Sequence, residues 1–183
     1  MEFLLLTKEE LKTIYNERLI YDFPNDEVKP LNSMYHMMDR GCYTPYLIAE
    51  DDTPIGYALF VSPKDMNSIL LDYFSIFKEF RNDGKGGQVL SLIRGVFKDK
   101  VVFIESENPE FQDEPEIPSR RLNFYKRNGC VDSLVLTSIF TVNYVNLYIA
   151  DKKYDSDYCK NEITKIYKSM VLDKKQYEEN III

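Results

Sequence analysis

FRNDGKGGQVL, residues 80–90, places one arginine and three glycines between an apolar run and a segment with helical periodicity. Glycine weakens a helix by up to about 1 kcal/mol per residue. Three glycines at a helix entrance therefore indicate that the backbone itself has a role there: Gly84, Gly86 and Gly87. A strand that enters a helix through a bare loop gathers free amide N–H groups at the positive end of the helix dipole, and this arrangement binds anions such as phosphate.

The loop does not match the two commonest phosphate-binding motifs. The P-loop pattern GxxxxGK[ST] and the dinucleotide fingerprint GxGxxG are both missing from the sequence. The pattern that remains is RxxGxG, formed by Arg81, Gly84 and Gly86. A strand-to-helix turn that binds no ligand is the alternative interpretation.

Chain length and composition restrict the classes of fold and partner. The 183 residues, 44% of them hydrophobic, suffice for one core and predict a single domain over residues 1–183. A formal net charge of −7 disfavours nucleic acid and anionic membranes as partners, because both are bound through basic surfaces. A cationic substrate fits this charge better.

The sequence also indicates no targeting segment and no metal chemistry. MEFLLL at the N-terminus is short and lacks the basic flank of a signal peptide, and no apolar run approaches the roughly 20 residues of a membrane span. We therefore expect a cytoplasmic protein. Cys42, Cys130 and Cys159 are scattered without CxxC spacing, and His36 is the single histidine, so neither a disulfide framework nor a metal site is expected.

Apolar periodicity and turn residues predict an α/β fold with a mixed sheet, in the order βααβββαβαββα. Thr7 and Glu10 form a TxxE capping box before the first helix, and Gly41 ends the second. Strands are expected in EFLLL, TPYLIAE, IGYALFV, SILLDYFSIF, VVFIES, SLVLTSIF and VNYVNLYIA, and helices over residues 8–20 and 32–40, in VLSLIRGVF, in RRLNFYKRNG and at about residues 155–172.

One long segment has no periodicity. ESENPEFQDEPEIPS, residues 105–119, is rich in acidic residues and proline, which predicts a mobile surface loop. Its carboxylates could attract a cationic amine and close over it. A solvated loop without that role is the alternative.

The glycine loop and its surroundings resemble the GNAT superfamily of acyl-CoA-dependent N-acyltransferases, whose mark is [QR]xxGxG at the start of the helix after the fourth strand. IFKEFRNDGKGGQVL, residues 76–90, is similar to the family's strand end, loop and helix in unbroken register. NFYKRNGC, residues 123–130, resembles the family's FYxxxGF element, with Phe124, Tyr125 and Gly129 in the expected places. The strand-like VVFIES separates the two motifs, as the family fold requires.

The resemblance implies that acetyl-CoA binds at the glycine loop. Amides from about Asn82 to Gly87 would point at its diphosphate, and side chains at Gly84 and Gly86 would obstruct that approach. The family also splays its central strands near the end of the fourth, which leaves backbone groups there to hold the pantetheine arm. The expected cofactor contacts are Phe74, Ser75, Ile76, Arg81, Asn82, Asp83, Gly84, Lys85, Gly86 and Gly87.

The resemblance further implies that an amine attacks the thioester carbonyl directly. Tyr125 is the candidate acid that protonates the coenzyme A thiolate, and simple packing beside Phe124 is the alternative role. Glu105, expected at the end of the fifth strand, is the candidate base; a solvated glutamate, or one that binds the substrate ammonium, is the alternative. Asp72, Tyr73 and a water chain remain open as other routes for the proton.

Acceptor contacts are expected from Tyr35, Tyr73 and Glu105. The second helix and the residues after it would form one wall of the acceptor pocket in this fold, although these side chains could equally be core: Met34, Tyr35, Met37, Met38 and Tyr43. His36 titrates near neutrality, but a lone histidine on a helix is more often structural.

Three functions stay open at this point. The first is an N-acetyltransferase that moves an acetyl group from acetyl-CoA to a primary amine of a small molecule or peptide. The second is a non-catalytic coenzyme A-binding or sensing module of the same fold, and the third is an interaction protein that binds no coenzyme A. The residues do not determine the acceptor, the acyl group or whether the terminal strands and the final III pair two copies into a homodimer.

Overall fold

The computed structural model describes residues 1–171 and 174–183. The strands are β1 (Glu2–Leu5), β2 (Tyr43–Glu50), β3 (Thr53–Val61), β4 (Ser68–Ile76), β5 (Val101–Glu107), β6 (Val131–Ile139), β7 (Val142–Ile149) and β8 (Ile181–Ile182). The helices are α1 (Lys8–Ile14), α2 (Ile20–Asp22), α3 (Leu31–Asp39), α4 (Lys85–Val96), α5 (Glu116–Arg127), α6 (Ser156–Met170) and α7 (Lys174–Asn180). The predicted mixed α/β class is confirmed.

The helix predicted over residues 8–20 is not regular throughout. The capping box of Thr7 and Glu10 starts α1, and a π-helical segment, Tyr15–Leu19, joins it to α2. α2, α7 and β8 are additional to the predicted order. Residue 172, at the end of the predicted terminal helix, lies outside the described residues.

The eight strands form one sheet in the order β1-β2-β3-β4-β5-β7-β6-β8. Neighbouring strands are antiparallel except β4 and β5, which are parallel and joined through α4. At the C-terminus, Ile181 and Ile182 pair with Ile139 and Ser138 of the same chain. The apolar III end thus extends its own sheet, where the sequence had left open pairing with another copy.

β4 and β5 separate in the middle of the sheet. Their pairing covers only Ser68 to Leu71 of β4, whereas β3 stays paired with β4 as far as Ile76. The register between β3 and β4 shifts at Asp72, which is an extra residue on β4 and forms a bulge. Because a bulge bends a strand and increases its twist, the end of β4 leaves β5 and a cleft opens between them.

The core lies on both faces of the sheet, as alternation along β3 shows. Tyr57, Leu59 and Val61 pack with α1, α3 and α6, while Ala58 and Phe60 pack with α4 and α5. All five side chains are fully buried. Since successive side chains of a strand point to opposite faces, a continuously apolar strand such as β3 belongs at the centre of a sheet covered on both sides.

The segment over residues 105–119 is more ordered than the sequence indicated. β5 continues to Glu107, a short 3₁₀ turn covers Pro109–Phe111, and α5 begins at Glu116. The predicted surface loop is therefore wrong at both ends. Pro115 and Pro118 are compatible with this helix start because the first turn has no use for the N–H groups that proline lacks.

Among the helices of the described residues, none combines the length and the apolar character needed to cross a bilayer. The cytoplasmic location stays a prediction.

Candidate active site

A cavity of about 800 Å³ opens where β4 and β5 separate. The end of β4, the loop before α4, the start of α4, one face of α5 and the segment after α2 surround it. Most of the residues predicted for the cofactor and the chemistry line this cavity: Tyr73, Phe74, Ser75, Ile76, Arg81, Asn82, Gly84, Lys85, Gly86, Gly87, Glu105 and Tyr125. Asp83 is exposed and Tyr35 lies elsewhere, and neither is among the lining residues.

The backbone amides of residues 82–87 are free of internal partners. Gln88 donates to the carbonyl oxygen of Gly84 at 3.2 Å, whereas within residues 1–171 and 174–183 the six preceding amides donate to no acceptor. They lie at the N-terminus of α4, a helix of 12 residues, where the helix dipole adds positive potential. Five of these six residues, all except Asp83, line the cavity, so the loop places unsatisfied donors beside it.

The loop needs glycine for two different reasons: backbone conformation at Gly84, and close packing at Gly86 and Gly87. Gly84 precedes α4 with a φ of +71°, a left-handed conformation that favours glycine, and a Cβ there would meet open space. A Cβ on Gly86 would lie 3.0 Å from the ring of Phe124, and one on Gly87 would lie 2.5 Å from Oδ1 of Asn128. Gly86 and Gly87 thus let α5 pack closely on α4. That side chains at 84 and 86 would obstruct the diphosphate stays a prediction, and the contact with Phe124 is an additional reason for glycine at 86.

Arg81 is an internal anchor of the loop. Its Nε donates to the carbonyl oxygen of Ile76 at 2.6 Å, and one terminal nitrogen bonds Ser75 Oγ at 3.1 Å and Asp22 at 2.8 Å. The Ile76 carbonyl is therefore already occupied, and the guanidinium ties the end of β4 to α2. Lys85 is likewise paired, with Glu50 at the end of β2.

Tyr125 on α5 is one of the buried tyrosines that line the cavity. Burial is the main cause that raises its pKa to about 12; the positive charge of Arg121 opposes the rise and Cys130 adds to it. The hydroxyl accordingly keeps its proton at neutral pH and is a donor. Its ring also contacts Phe124 at a centroid distance of 5.3 Å, so the packing role and a chemical role coexist.

Glu105 lies in β5, not at its end, and a chain of hydrogen bonds holds it. Asn146 Nδ2 donates to Thr137 Oγ1 at 3.0 Å, Thr137 Oγ1 is 3.2 Å from the Tyr167 hydroxyl, and that hydroxyl donates to Glu105. Burial raises the pKa of Glu105 to about 7, against the lowering effects of Lys29 and of the Tyr167 hydrogen bond. A carboxyl that titrates near neutrality can accept a proton from an ammonium.

Sequence comparison finds no matching family profile and no matching curated protein. Solved structures do match. A GNAT-family protein from Bacteroides thetaiotaomicron is 23% identical with a TM-score of 0.72, over 89% of this chain and 94% of that chain. The chain has the GNAT fold.

Two further solved structures agree with this assignment. A GNAT-family protein from Desulfovibrio desulfuricans is 18% identical with a TM-score of 0.57, over 81% of this chain and 96% of that one. A spermidine N-acetyltransferase from Vibrio cholerae is 9% identical with a TM-score of 0.57, over 87% and 96% of the two chains. Identities this low show a shared GNAT fold, while the activities named belong to those proteins.

In this GNAT fold, two of the alternative proton acceptors are already engaged. Asp72, at the bulge of β4, accepts from Lys29 Nζ at 2.7 Å and from the Tyr43 hydroxyl at 2.8 Å. The Tyr73 hydroxyl donates to the carbonyl oxygen of Glu27 at 2.7 Å and accepts from the Lys29 amide at 2.9 Å. Burial raises the pKa of Tyr73 above its usual range. Both groups fix the segment after α2 over the cavity.

Glu27 is a cavity residue that the sequence did not reveal. It lies in FPNDEVKP, which the prolines marked only as a break. The Tyr144 hydroxyl donates to its Oε2 at 3.4 Å, whereas its buried Oε1 has no partner among the described residues. Burial, helped by the negative charge of Glu107, raises the pKa of Glu27 to about 7. A lone glutamate between two prolines carries no sequence signal for this role.

The residues predicted to form one wall of the acceptor pocket pack in the hydrophobic core instead. Met34 and Met37 are buried against the sheet, and Tyr43 is buried with its hydroxyl on Asp72. Tyr35 donates its hydroxyl to the carbonyl oxygen of Lys8 at 3.0 Å, outside the cavity. Tyr35 is thus removed from the candidate acceptor contacts, because the 3.6-residue period put the apolar stripe of α3 on the sheet. On the same helix, the neighbouring histidine is exposed.

Proposed function

We propose that this protein is an N-acetyltransferase that transfers an acetyl group from acetyl-CoA to a primary amine of a small molecule or peptide. The observation that carries the proposal is the row of unpaired amides over residues 82–87, in a loop that lines the same cavity as Tyr125 and Glu105 at every position except Asp83. The GNAT fold supports it, and so do solved structures of that fold whose names include spermidine N-acetyltransferase.

The cradle of amides is suited to the diphosphate of acetyl-CoA. Six donors at the positive end of α4 can bind the anion without a lysine or arginine, which matters because Arg81 and Lys85 are already paired with Asp22 and Glu50. The cleft between β4 and β5 leaves backbone groups near Phe74 for the pantetheine arm. The thioester would then lie between α5 and β5.

The side chains then have separate roles. Glu105, with a pKa of about 7, accepts the proton that the attacking amine loses. Tyr125 keeps its proton at neutral pH and gives it to the departing thiolate. The remaining rate acceleration comes from orienting the amine and the thioester for attack within one cavity.

A matched pair of variants at Gly84 tests the cradle. Gly84→Glu and Gly84→Gln impose similar bulk and the same strain at a φ of +71°, and differ only in charge. We expect Gly84→Glu to weaken acetyl-CoA binding at least about tenfold more than Gly84→Gln, since a carboxylate would face the diphosphate. Isothermal titration measures the dissociation constants, and urea unfolding confirms that the two variants are equally stable.

Binding and turnover are measured on the same preparation. Acetyl-CoA at 100 times its dissociation constant should stabilise the wild type by about 2.7 kcal/mol. Thiol release over a panel of amines then reports turnover. Stabilisation without thiol release would favour the coenzyme A-binding module, and no stabilisation would refute the proposal.

A further inference from the structure

The carboxylates around the cavity fall into two groups. Three of them form ion pairs with basic side chains at 2.7 to 2.9 Å: Asp22 with Arg81, Asp72 with Lys29, and Glu107 with Arg121. Two others, Glu27 and Glu105, have no ion-pair partner among residues 1–171 and 174–183. The cavity therefore contains two carboxyl groups that are in ion-pair contact with no basic side chain of the described residues.

The two unpaired carboxylates differ in their hydrogen bonds. Glu105 accepts from Tyr167, at the end of the chain that starts at Asn146. Glu27 accepts one long bond, from the Tyr144 hydroxyl at 3.4 Å, and its Oε1 is buried without a donor. An unsatisfied buried acceptor costs roughly 1 to 3 kcal/mol. A donor that arrives with a ligand would remove that cost.

The two groups lie on the same side of the sheet. Glu105 pairs with Asn146 and Glu107 with Tyr144 across β5 and β7, and alternate residues of a strand share a face. Tyr144 contacts Glu27 from this face, so Glu27 and Glu105 approach one region of the cavity from the segment after α2 and from β5. An acceptor that fills this region can meet both.

We propose that Glu27 binds a second positively charged nitrogen of the acceptor, so that the substrate class is a compound with two cationic amines, one held at Glu27 and the other acetylated beside Glu105. This inference rests on the proposed acetyltransferase function. Two unpaired carboxylates are complementary to two ammonium groups, whereas a monoamine would leave one carboxylate buried and uncompensated. Burial raises the pKa of both groups to about 7, and an ammonium bound beside either group would favour its charged form.

Thiol release from acetyl-CoA with matched amines tests the inference. The probes are 1,3-diaminopropane, 1,4-diaminobutane and 1,5-diaminopentane, with butylamine as the monoamine. We expect kcat/KM for the best diamine to exceed that for butylamine about tenfold, equal to about 1.4 kcal/mol. Glu27→Gln should reduce this ratio to within about threefold, because the second nitrogen of the diamine loses its charged partner.

Glu110→Gln is the matched control. Glu110 is exposed in the short turn after β5, so this variant removes the same charge from the same end of the molecule without touching the cavity. It should keep the diamine preference, which separates direct contact from long-range attraction. Acetyl-CoA binding by both variants shows that they are folded.

The possible failures are distinguishable. Equal rates with diamines and butylamine, or a diamine preference that survives Glu27→Gln, would overturn this inference and leave the acetyltransferase intact. No thiol release with any amine would overturn the proposed function and this inference together.

Discussion

Replacement of Glu27 by glutamine should change the pH dependence of stability in a defined direction. The folded protein raises the pKa of this carboxyl from 4.5 to about 7, mainly by burial and by the charge of Glu107. Between those two pH values the folded state holds a proton that the unfolded state releases. The stabilisation from this group is therefore present at low pH and is lost as the pH rises from 4.5 to about 7.

The magnitude follows from the two pKa values. Between pH 5 and pH 8, Glu27 should cost the wild type about 2.5 kcal/mol of unfolding free energy. Glutamine does not titrate, so the free energy of unfolding of Glu27→Gln should fall by about 2.5 kcal/mol less than that of the wild type over the same pH interval. For a chain of this length the difference corresponds to about 5 to 10 °C in Tm.

Urea unfolding at pH 5, 6, 7 and 8 measures this effect. Any cost of the new amide that does not depend on pH cancels in the comparison between pH values. Glu2→Gln, which removes a carboxylate from an exposed position on β1, serves as the control and should follow the wild type. A difference between Glu27→Gln and this control of less than about 0.5 kcal/mol over the interval would refute the burial argument.

Three other outcomes are expected. Tyr125→Phe should lower kcat at least about tenfold with acetyl-CoA affinity unchanged, because the thiolate loses its proton donor; a loss below threefold would remove Tyr125 from the mechanism. The kcat/KM of the wild type should rise with pH through about 7, and Glu105→Gln should abolish that rise in a pH series of thiol release. Gly95→Ala should stabilise α4 by about 0.5 to 1 kcal/mol in urea unfolding, whereas Gly87→Ala, whose Cβ would meet Asn128, should be at least about 1 kcal/mol less stable than Gly95→Ala.

The sequence predicted the parts of the site that local backbone chemistry specifies. RxxGxG and the neighbouring strand and helix periods located the amide loop, and its amides are free in the structure. The reason for two of the glycines was not local, since Gly86 and Gly87 are in contact with α5, some 40 residues further along the chain. The glycines mark a close approach, but the local sequence does not say which distant segment makes it.

For residues around the proposed acceptor position, the tertiary structure was more informative than the sequence. Tyr35 was predicted to contact the acceptor because of its residue type. In the structure its hydroxyl donates to the carbonyl oxygen of Lys8 in α1 instead. Glu27 had no motif and became a cavity residue only because Tyr73 and Lys29 hold its segment over the cleft. Long-range hydrogen bonds of this kind depend on which strands become neighbours.

The sequence by itself determined the mixed α/β class and the position of the loop with free amides before α4, because periodicity, glycine and helix termini act over a few residues. Only the tertiary structure decided that β4 and β5 part at the Asp72 bulge, and that Glu105 and Glu27 line one cavity while neither forms an ion pair with the described residues. Burial and charge balance set the pKa of both groups, and they arise from packing between segments far apart in the chain.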